Sequence, residues 1–80
     1  MAYIYILYSN QADRYYIGST STEISDRLQR HNSNHKGYTG KWNDWEVVYT
    51  EAYLTKEEAI RREIQIKNWK SRKMIERIIN

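Results

Sequence analysis

The chain has 80 residues, no cysteine, two histidines and a formal net charge of +3. The missing cysteines exclude disulfides, thiolate metal sites and a cysteine nucleophile, and two histidines exclude most multi-histidine metal sites. With 29% charged and 40% hydrophobic residues, the chain is too well patterned for a disordered tail. A chain of this length buries only about 60% of its unfolded surface, so we expect one small domain over residues 1–80 with a thin core.

Positive charge is concentrated in the C-terminal part of the chain. Residues 1–50 carry five Lys or Arg against five Asp or Glu, whereas residues 51–80 carry eight against five. A basic segment suits a polyanionic partner such as nucleic acid, although on charge alone a solvated helical face is the simpler interpretation. No run approaches the length of a membrane span and no leader precedes the first strand-like run, so we expect a soluble, cytoplasmic protein without membrane contact.

The first part of the chain predicts a β-hairpin followed by a helix. Residues 3–9 are rich in Tyr, Ile and Leu, and residues 15–19 have a similar composition, which favours two strands joined by a polar connection. Thr20 and Glu23 fit a capping box. They predict a helix that begins near Ser21 and ends at about Asn32.

The rest of the chain predicts a third strand and two further helices. Thr55 and Glu58 form a second capping box at the start of the second helix. The remaining elements are a long loop over residues 33–44, a third strand over residues 45–53, the second helix through about Trp69, and a short last helix over residues 74–79. The order β-β-α-β-α-α predicts an α+β fold: a small three-stranded, mostly antiparallel sheet flanked by three helices. The order of the strands does not follow from this pattern.

Glu63 breaks the packing pattern of the second predicted helix. At 100° per residue it falls inside the apolar arc between Ile66 and Ile60, and Lys67 lies one turn later. A carboxylate that faces the core costs several kcal/mol unless it is paired or binds a cation. Two interpretations follow: a half-exposed Glu63–Lys67 ion pair at the edge of the core, or a cation site.

Arg27 and His31 form a second unusual pair. They are i, i+4 neighbours in the first predicted helix, so their side chains can converge on one target. An arginine fork beside an imidazole suits a phosphate group, because arginine can bind two of its oxygens at once. The alternative is ordinary surface charge, with the ring of His31 packed along the helix.

The hairpin brings two tyrosines to one face. If Tyr8 lies opposite Tyr15, then Tyr5, Tyr16 and Gly18 share a face of the sheet. Gly18 would leave an open patch there, at which a ligand could approach the backbone closely. The two phenols could then hydrogen-bond a substrate, or one of them could act as a general base. The alternative is that tyrosine simply packs well on a sheet while its hydroxyl reaches water.

These segments together resemble a known family. Tyr3-Ile4-Tyr5 and Tyr16-Ile17-Gly18 resemble the paired tripeptides that name the GIY-YIG nuclease family, with Tyr3 in place of the first glycine. Arg27 with His31 resembles the family's helical Arg-x-x-x-His, and residues 59–63 resemble the segment that carries its metal-binding glutamate. The similarity covers essentially the whole chain in the correct order and is closest to the small, single-domain bacterial members.

The resemblance implies a metal-dependent endonuclease that hydrolyses phosphodiester bonds of DNA, such as structured or single-stranded DNA in repair or recombination, with RNA left open. Glu63 would hold one Mg²⁺ or Mn²⁺ ion. Tyr5 or Tyr16 would orient or deprotonate the attacking water. Arg27 would neutralise the scissile phosphate, and His31 would hold the nucleophile or a phenol. Arg27 and the cation would also lower the pKa of the phenol from its usual value of about 10.

The predicted loop adds groups that could track a nucleic-acid backbone. These candidates are Lys36, Tyr38, Thr39 and Lys41, joined by Lys67 from the second helix. Trp42 could stack on bases, or it could tuck onto the sheet. The second hypothesis for the function is a nucleic-acid-binding module of the same fold with weak or no turnover. The third hypothesis is a protein-interaction fold with a vestigial site. A partner protein or a homodimer is left open.

Overall fold

The computed structural model of the chain describes residues 1–33 and 37–80, apart from the side chain of Tyr38. Its elements are β1 (Ala2–Ser9), β2 (Arg14–Thr20), α1 (Ile24–His31), a 3-10 turn (Tyr38–Lys41), β3 (Glu46–Tyr53), α2 (Lys56–Asn68) and α3 (Arg72–Ile79). The predicted α+β fold and its element order are confirmed. Within the described ranges, no helix has both the length and the apolar character that crossing a membrane requires.

The three strands form one sheet in the order β2-β1-β3, and both neighbouring pairs are antiparallel. In the hairpin, Tyr8 lies opposite Tyr15 and Tyr5 lies opposite Gly18, so the register on which the shared face of Tyr5 and Tyr16 depended is the one observed. Because successive side chains of a strand alternate between faces, this register puts Tyr5 and Tyr16 on the same face.

β1 is covered on both faces, which explains why apolar residues occupy almost every position of this strand. On one face Ile4 is fully buried in a cluster with Ile66 of α2, and residues of α3 pack against it. On the other face Leu7 clusters with Tyr5 and Trp45, and partly buried residues of α1 pack against them. Tyr5, Tyr16 and the predicted site residues of α1 therefore lie on the face that α1 covers, whereas Glu63 belongs to α2.

The two predicted capping boxes have different outcomes. Thr55 caps α2, since its hydroxyl accepts a hydrogen bond from the backbone N–H of Glu58 at 3.2 Å. The capping box at Thr20 and Glu23 was wrong: α1 begins at Ile24, with Glu23 as an N-cap that makes no side-chain hydrogen bond. The hydroxyl of Thr20 instead accepts the backbone N–H of Thr22 at 3.0 Å. This local turn competes with the helix for the same residues, so α1 is shorter than predicted.

The connection between α2 and α3 is short and has an unusual backbone. Trp69 closes α2, and Lys70 then adopts a left-handed conformation with φ of 49°. Ser71 starts α3, because its hydroxyl accepts the backbone N–H of Met74 at 3.3 Å. Two tight caps thus leave one residue, Lys70, to turn the chain between the helices.

Candidate active site

Tyr5 is the buried centre of the candidate site. Its side chain is only 1% exposed, and its hydroxyl lies 3.1 Å from Nε2 of His31. The ring fills the space above Gly18: a Cβ at that glycine would lie 2.6 Å from both Cζ and Oη of Tyr5. The expected open patch at Gly18 was therefore wrong, because the tyrosine on the neighbouring strand occupies it. Glycine is required here so that the phenol can lie across the strand.

His31 connects Tyr5 to the segment before β3. It is the last residue of α1 and is 8% exposed. Its Nδ1 lies 2.7 Å from the hydroxyl oxygen of Thr39, so both ring nitrogens have a hydroxyl partner. The prediction of Thr39 as a nucleic-acid contact was wrong: Thr39 is 2% exposed and its hydroxyl meets the imidazole. The carbonyl of Thr39 also accepts the indole N–H of Trp45 at 2.9 Å.

Arg27 lies one helical turn before His31, as predicted. Its Nε is buried and has no hydrogen-bond partner among the residues that the structure describes. A buried guanidinium nitrogen without a partner is costly, which makes this atom a candidate donor to an anionic ligand.

The pKa of Tyr5 differs from the expectation. Burial of the phenol raises its pKa, and this outweighs the lowering by the nearby guanidinium of Arg27; the negative charge of Glu63 raises it further. The prediction of a lowered phenol pKa was therefore wrong for Tyr5. Arg27 acts in the expected direction, but removal of the hydroxyl from water has the larger effect.

Tyr16 lies beside this pair and is less buried. Its ring centroid is 4.6 Å from that of His31 and 6.4 Å from that of Tyr5. The ammonium of Lys67 lies 6.0 Å from the centre of the Tyr16 ring. Tyr16 is only half-buried, so of the two phenols it is the one that faces the outside of the molecule.

Glu63 approaches the site from α2, around the edge of the sheet. Its side chain is 17% exposed and forms an ion pair with Lys67, with Oε2 and Nζ 2.6 Å apart. The hydroxyl of Ser19 donates to its other oxygen. The ion pair that the sequence suggested is thus present. Ser19 was missed, although the hairpin register offered a signal: Ser19 lies opposite Ile4, whose side chain faces α2.

The residues around Glu63 restrict the kind of metal ion that fits. Residues 1–33 and 37–80 contain no group of three His, Cys, Asp or Glu side chains placed to hold a metal. One carboxylate and one hydroxyl fit Mg²⁺, which keeps several waters and is commonly completed by substrate phosphates. They do not fit a transition-metal site built from several nitrogen or sulfur ligands. The ammonium of Lys67 occupies the same carboxylate, so a cation at Glu63 would compete with it.

The structure describes only some of the other predicted nucleic-acid contacts. Lys36 and the side chain of Tyr38 lie outside the described residues, and Lys41 is exposed at the end of the 3-10 turn. Trp42 packs on the sheet against the Tyr5 cluster, edge-on to Trp45 with centroids 6.2 Å apart, so the packing alternative is the one observed.

Asn32 is a structural residue that the sequence did not single out. Its side-chain amide donates to the backbone carbonyl of Trp45, and its amide oxygen accepts the Trp45 N–H at 2.8 Å. Asn32 thereby ties the end of α1 to the segment before β3. These two bonds help to keep His31 and Thr39 within hydrogen-bond distance of each other. No local sequence pattern indicates this role of Asn32.

Comparisons with known proteins identify the family of this chain. A family model described as the GIY-YIG catalytic domain matches residues 1–76. The solution NMR structure of the UPF0213 protein BH0048 from Bacillus halodurans is similar to this chain, with 33% sequence identity and a TM-score of 0.60. The similarity covers 99% of this chain and 83% of that one. No curated protein matches the sequence.

Proposed function

Because this chain belongs to the GIY-YIG family, whose members are generally endonucleases, we propose that it is a divalent-metal-dependent endonuclease that hydrolyses phosphodiester bonds of DNA. The observation that carries the proposal is the buried Nε of Arg27, which has no partner in the described part of the chain and lies next to the Tyr5–His31 pair. An anionic substrate would satisfy that donor.

Arg27 binds the scissile phosphate in this proposal. A guanidinium can donate two parallel N–H bonds to phosphate oxygens, and such charge-assisted bonds are about twice as strong as neutral ones. Charge accumulates on these oxygens as the water attacks phosphorus, so a fixed cation stabilises the transition state more than the ground state. The position of Arg27 on α1, next to buried residues, preorganises it for this role.

Tyr16 contacts the attacking water, and Tyr5 is a positioning residue. Tyr5 is buried, hydrogen-bonded to His31 and has a raised pKa, so it is a poor acceptor for a proton from water. Tyr16 is more exposed, and its ring contacts the same imidazole at a tilt of 54°. His31, held by Thr39 on its other nitrogen, fixes the two rings relative to one another.

Glu63 and Ser19 would hold the metal ion, and the hydroxyl of Ser19 already orients the carboxylate. GIY-YIG nucleases generally depend on divalent metals. When bound, the ion supplies Lewis-acid stabilisation of negative charge on the phosphate and the leaving oxygen. Lys67 neutralises Glu63 in the structure, and a metal ion bound there would displace its ammonium from the carboxylate.

The test is cleavage of single-stranded, duplex and branched DNA by the purified chain with Mg²⁺ or Mn²⁺. We expect cleavage by the unmodified chain and none by Glu63→Gln, with folding intact because glutamine keeps an acceptor for Ser19 and an ion pair with the half-exposed Lys67 contributes little to stability. Glu57→Gln is the matched control, since Glu57 is an exposed carboxylate in the first turn of the same helix. Equal cleavage by Glu63→Gln and the unmodified chain would overturn the proposal.

A second candidate function is nucleic-acid binding without turnover. It is favoured by the state of Glu63, whose two oxygens are both engaged by Ser19 and Lys67. If this candidate is right, the chain binds DNA with a steep salt dependence but cleaves none of the substrates with either metal. Mn²⁺ would then leave the melting temperature unchanged, whereas a functional metal site raises it.

A further inference from the structure

A basic groove lies next to the candidate active site, between the start of β2 and the α2–α3 connection. It has a volume of about 340 Å³. Its apolar floor includes Ile17 and Ile66, and its rim carries four cationic side chains, Arg14, Lys67, Lys70 and Arg72, against one carboxylate, Asp13. The carboxylate is already paired, since Arg72 forms an ion pair with it at 2.7 Å.

Lys70 occupies a backbone position that normally selects glycine. It is the second residue after the end of α2 and has φ of 49°. Helices commonly end with a left-handed residue at this position, usually glycine, because a Cβ is disfavoured there. Asp13, with φ of 52°, is the other left-handed non-glycine residue in the described ranges, and it lines the same groove. Aspartate tolerates this conformation, whereas lysine gains nothing from it locally.

Lys70 differs from its cationic neighbours Lys67 and Arg72 in having no acidic partner within residues 1–33 and 37–80. Lys67 pairs with Glu63, and Arg72 pairs with Asp13 and Glu76. Among the described residues, Lys70 forms neither an ion pair nor a side-chain hydrogen bond. A strained residue that keeps an unpaired charge at the rim of a groove points to a ligand contact.

We propose that this groove binds the phosphodiester backbone of the nucleic-acid strand that leaves the active site, with Lys70 as its main phosphate contact. The inference rests on the proposed function. Lys67 connects the two regions, because its ammonium contacts Glu63 and its side chain lines the groove. Lys67, whose ammonium also lies 6.0 Å from the centre of the Tyr16 ring, therefore gives a strand bound at Arg27 and Tyr16 a cationic side chain between the active site and the groove.

The test is DNA binding by Lys70→Gly in the non-cleaving Glu63→Gln background. Fluorescence anisotropy with labelled single-stranded DNA is measured over a range of salt concentrations. We expect binding about 5- to 10-fold weaker near 0.1 M salt, and a slope of log affinity against log salt that is shallower by about 1. The melting temperature should stay the same or rise, because glycine relieves the left-handed strain. Lys70→Arg, which keeps the positive charge, should bind DNA with about the affinity of the parent.

Lys73→Ala is the control, since Lys73 is an equally exposed lysine on the first turn of α3 that does not line the groove. Its affinity should stay within about twofold of the parent. Equal affinities of Lys70→Gly and the parent, an equal loss in Lys73→Ala, or a lower melting temperature of Lys70→Gly would each overturn the inference. Failure of the parent to bind DNA at all would instead overturn the proposed function, and the groove assignment with it.

Discussion

Tyr5 and Tyr16 project from the same face of the hairpin, yet their hydroxyls have different surroundings. The hydroxyl of Tyr5 is buried against Nε2 of His31, above a glycine that leaves room for it. The hydroxyl of Tyr16 makes no hydrogen bond within the described ranges. One phenol is thus part of the fold as well as the site, and the other is available to a substrate.

This difference predicts that removal of the Tyr16 hydroxyl affects mainly the cleavage rate, whereas removal of the Tyr5 hydroxyl affects the free energy of unfolding. Tyr16→Phe should lower the rate of DNA cleavage by about 100-fold or more and change stability by less than about 0.5 kcal/mol. Tyr5→Phe leaves a buried nitrogen of His31 without its partner, so it should lower the free energy of unfolding by about 1–3 kcal/mol. Urea unfolding and cleavage assays measure both. A stable Tyr5→Phe variant with the larger loss of cleavage would reverse the roles assigned to the two phenols.

At the scale of the elements, α1 and α2 begin in different ways although both carry the sequence pattern of a capping box. The pattern at Thr55 is realised, but the hydroxyl of Thr20 bonds the backbone N–H of Thr22 in a turn outside the helix. A local pattern cannot distinguish these outcomes, because Thr20 is also the last residue of β2 and its backbone is held in the sheet. The first residue of α1 is therefore decided by the hairpin and not by its own cap.

Substitution of Thr55 and Thr20 by alanine tests which of the two threonines caps a helix. Thr55→Ala should lower the free energy of unfolding by about 1 kcal/mol, because it removes the acceptor for the N–H of Glu58. Thr20→Ala should cost less than about 0.5 kcal/mol, since it removes only an exposed turn contact. Urea unfolding of both variants under the same conditions measures the difference. Equal costs would mean that Thr20 supports α1 after all.

At the scale of the whole molecule, the sequence predicted what depends on neighbours along the chain. Once Tyr8 was assumed to lie opposite Tyr15, alternation within the two adjacent strands brought Tyr5 and Tyr16 to one face, and this pairing is present. The strand order β2-β1-β3 could not be predicted in the same way, because β3 returns to β1 across a long connection. For the same reason the burial of Tyr5 and the contact of Ser19 with Glu63 were missed: each depends on how a helix packs over the sheet.

Glu51 links the sheet to α2 and makes the stability of the whole fold depend on pH. Its carboxylate pairs with Arg62 at 3.0 Å and accepts hydrogen bonds from the hydroxyls of Tyr49 and Tyr53. Burial by itself raises the pKa of this carboxyl, but the bonds from Arg62 and the two tyrosines outweigh it, and the pKa is lowered overall. The folded state therefore prefers the charged form more strongly than the unfolded chain does.

The direction of the pH dependence follows from this lowered pKa. A carboxyl whose pKa is lower in the folded state stabilises the fold fully above its unfolded pKa of about 4.3, and this contribution is lost as the pH falls through the folded pKa. At neutral pH, Glu51→Gln should lower the free energy of unfolding by about 1–3 kcal/mol, since Arg62 loses its partly buried charged partner. Below about pH 4 the difference should shrink, because protonated Glu51 resembles the amide. Urea unfolding of both proteins from neutral to acidic pH measures it, and a constant difference over that range would show that the charge of Glu51 does not support the fold.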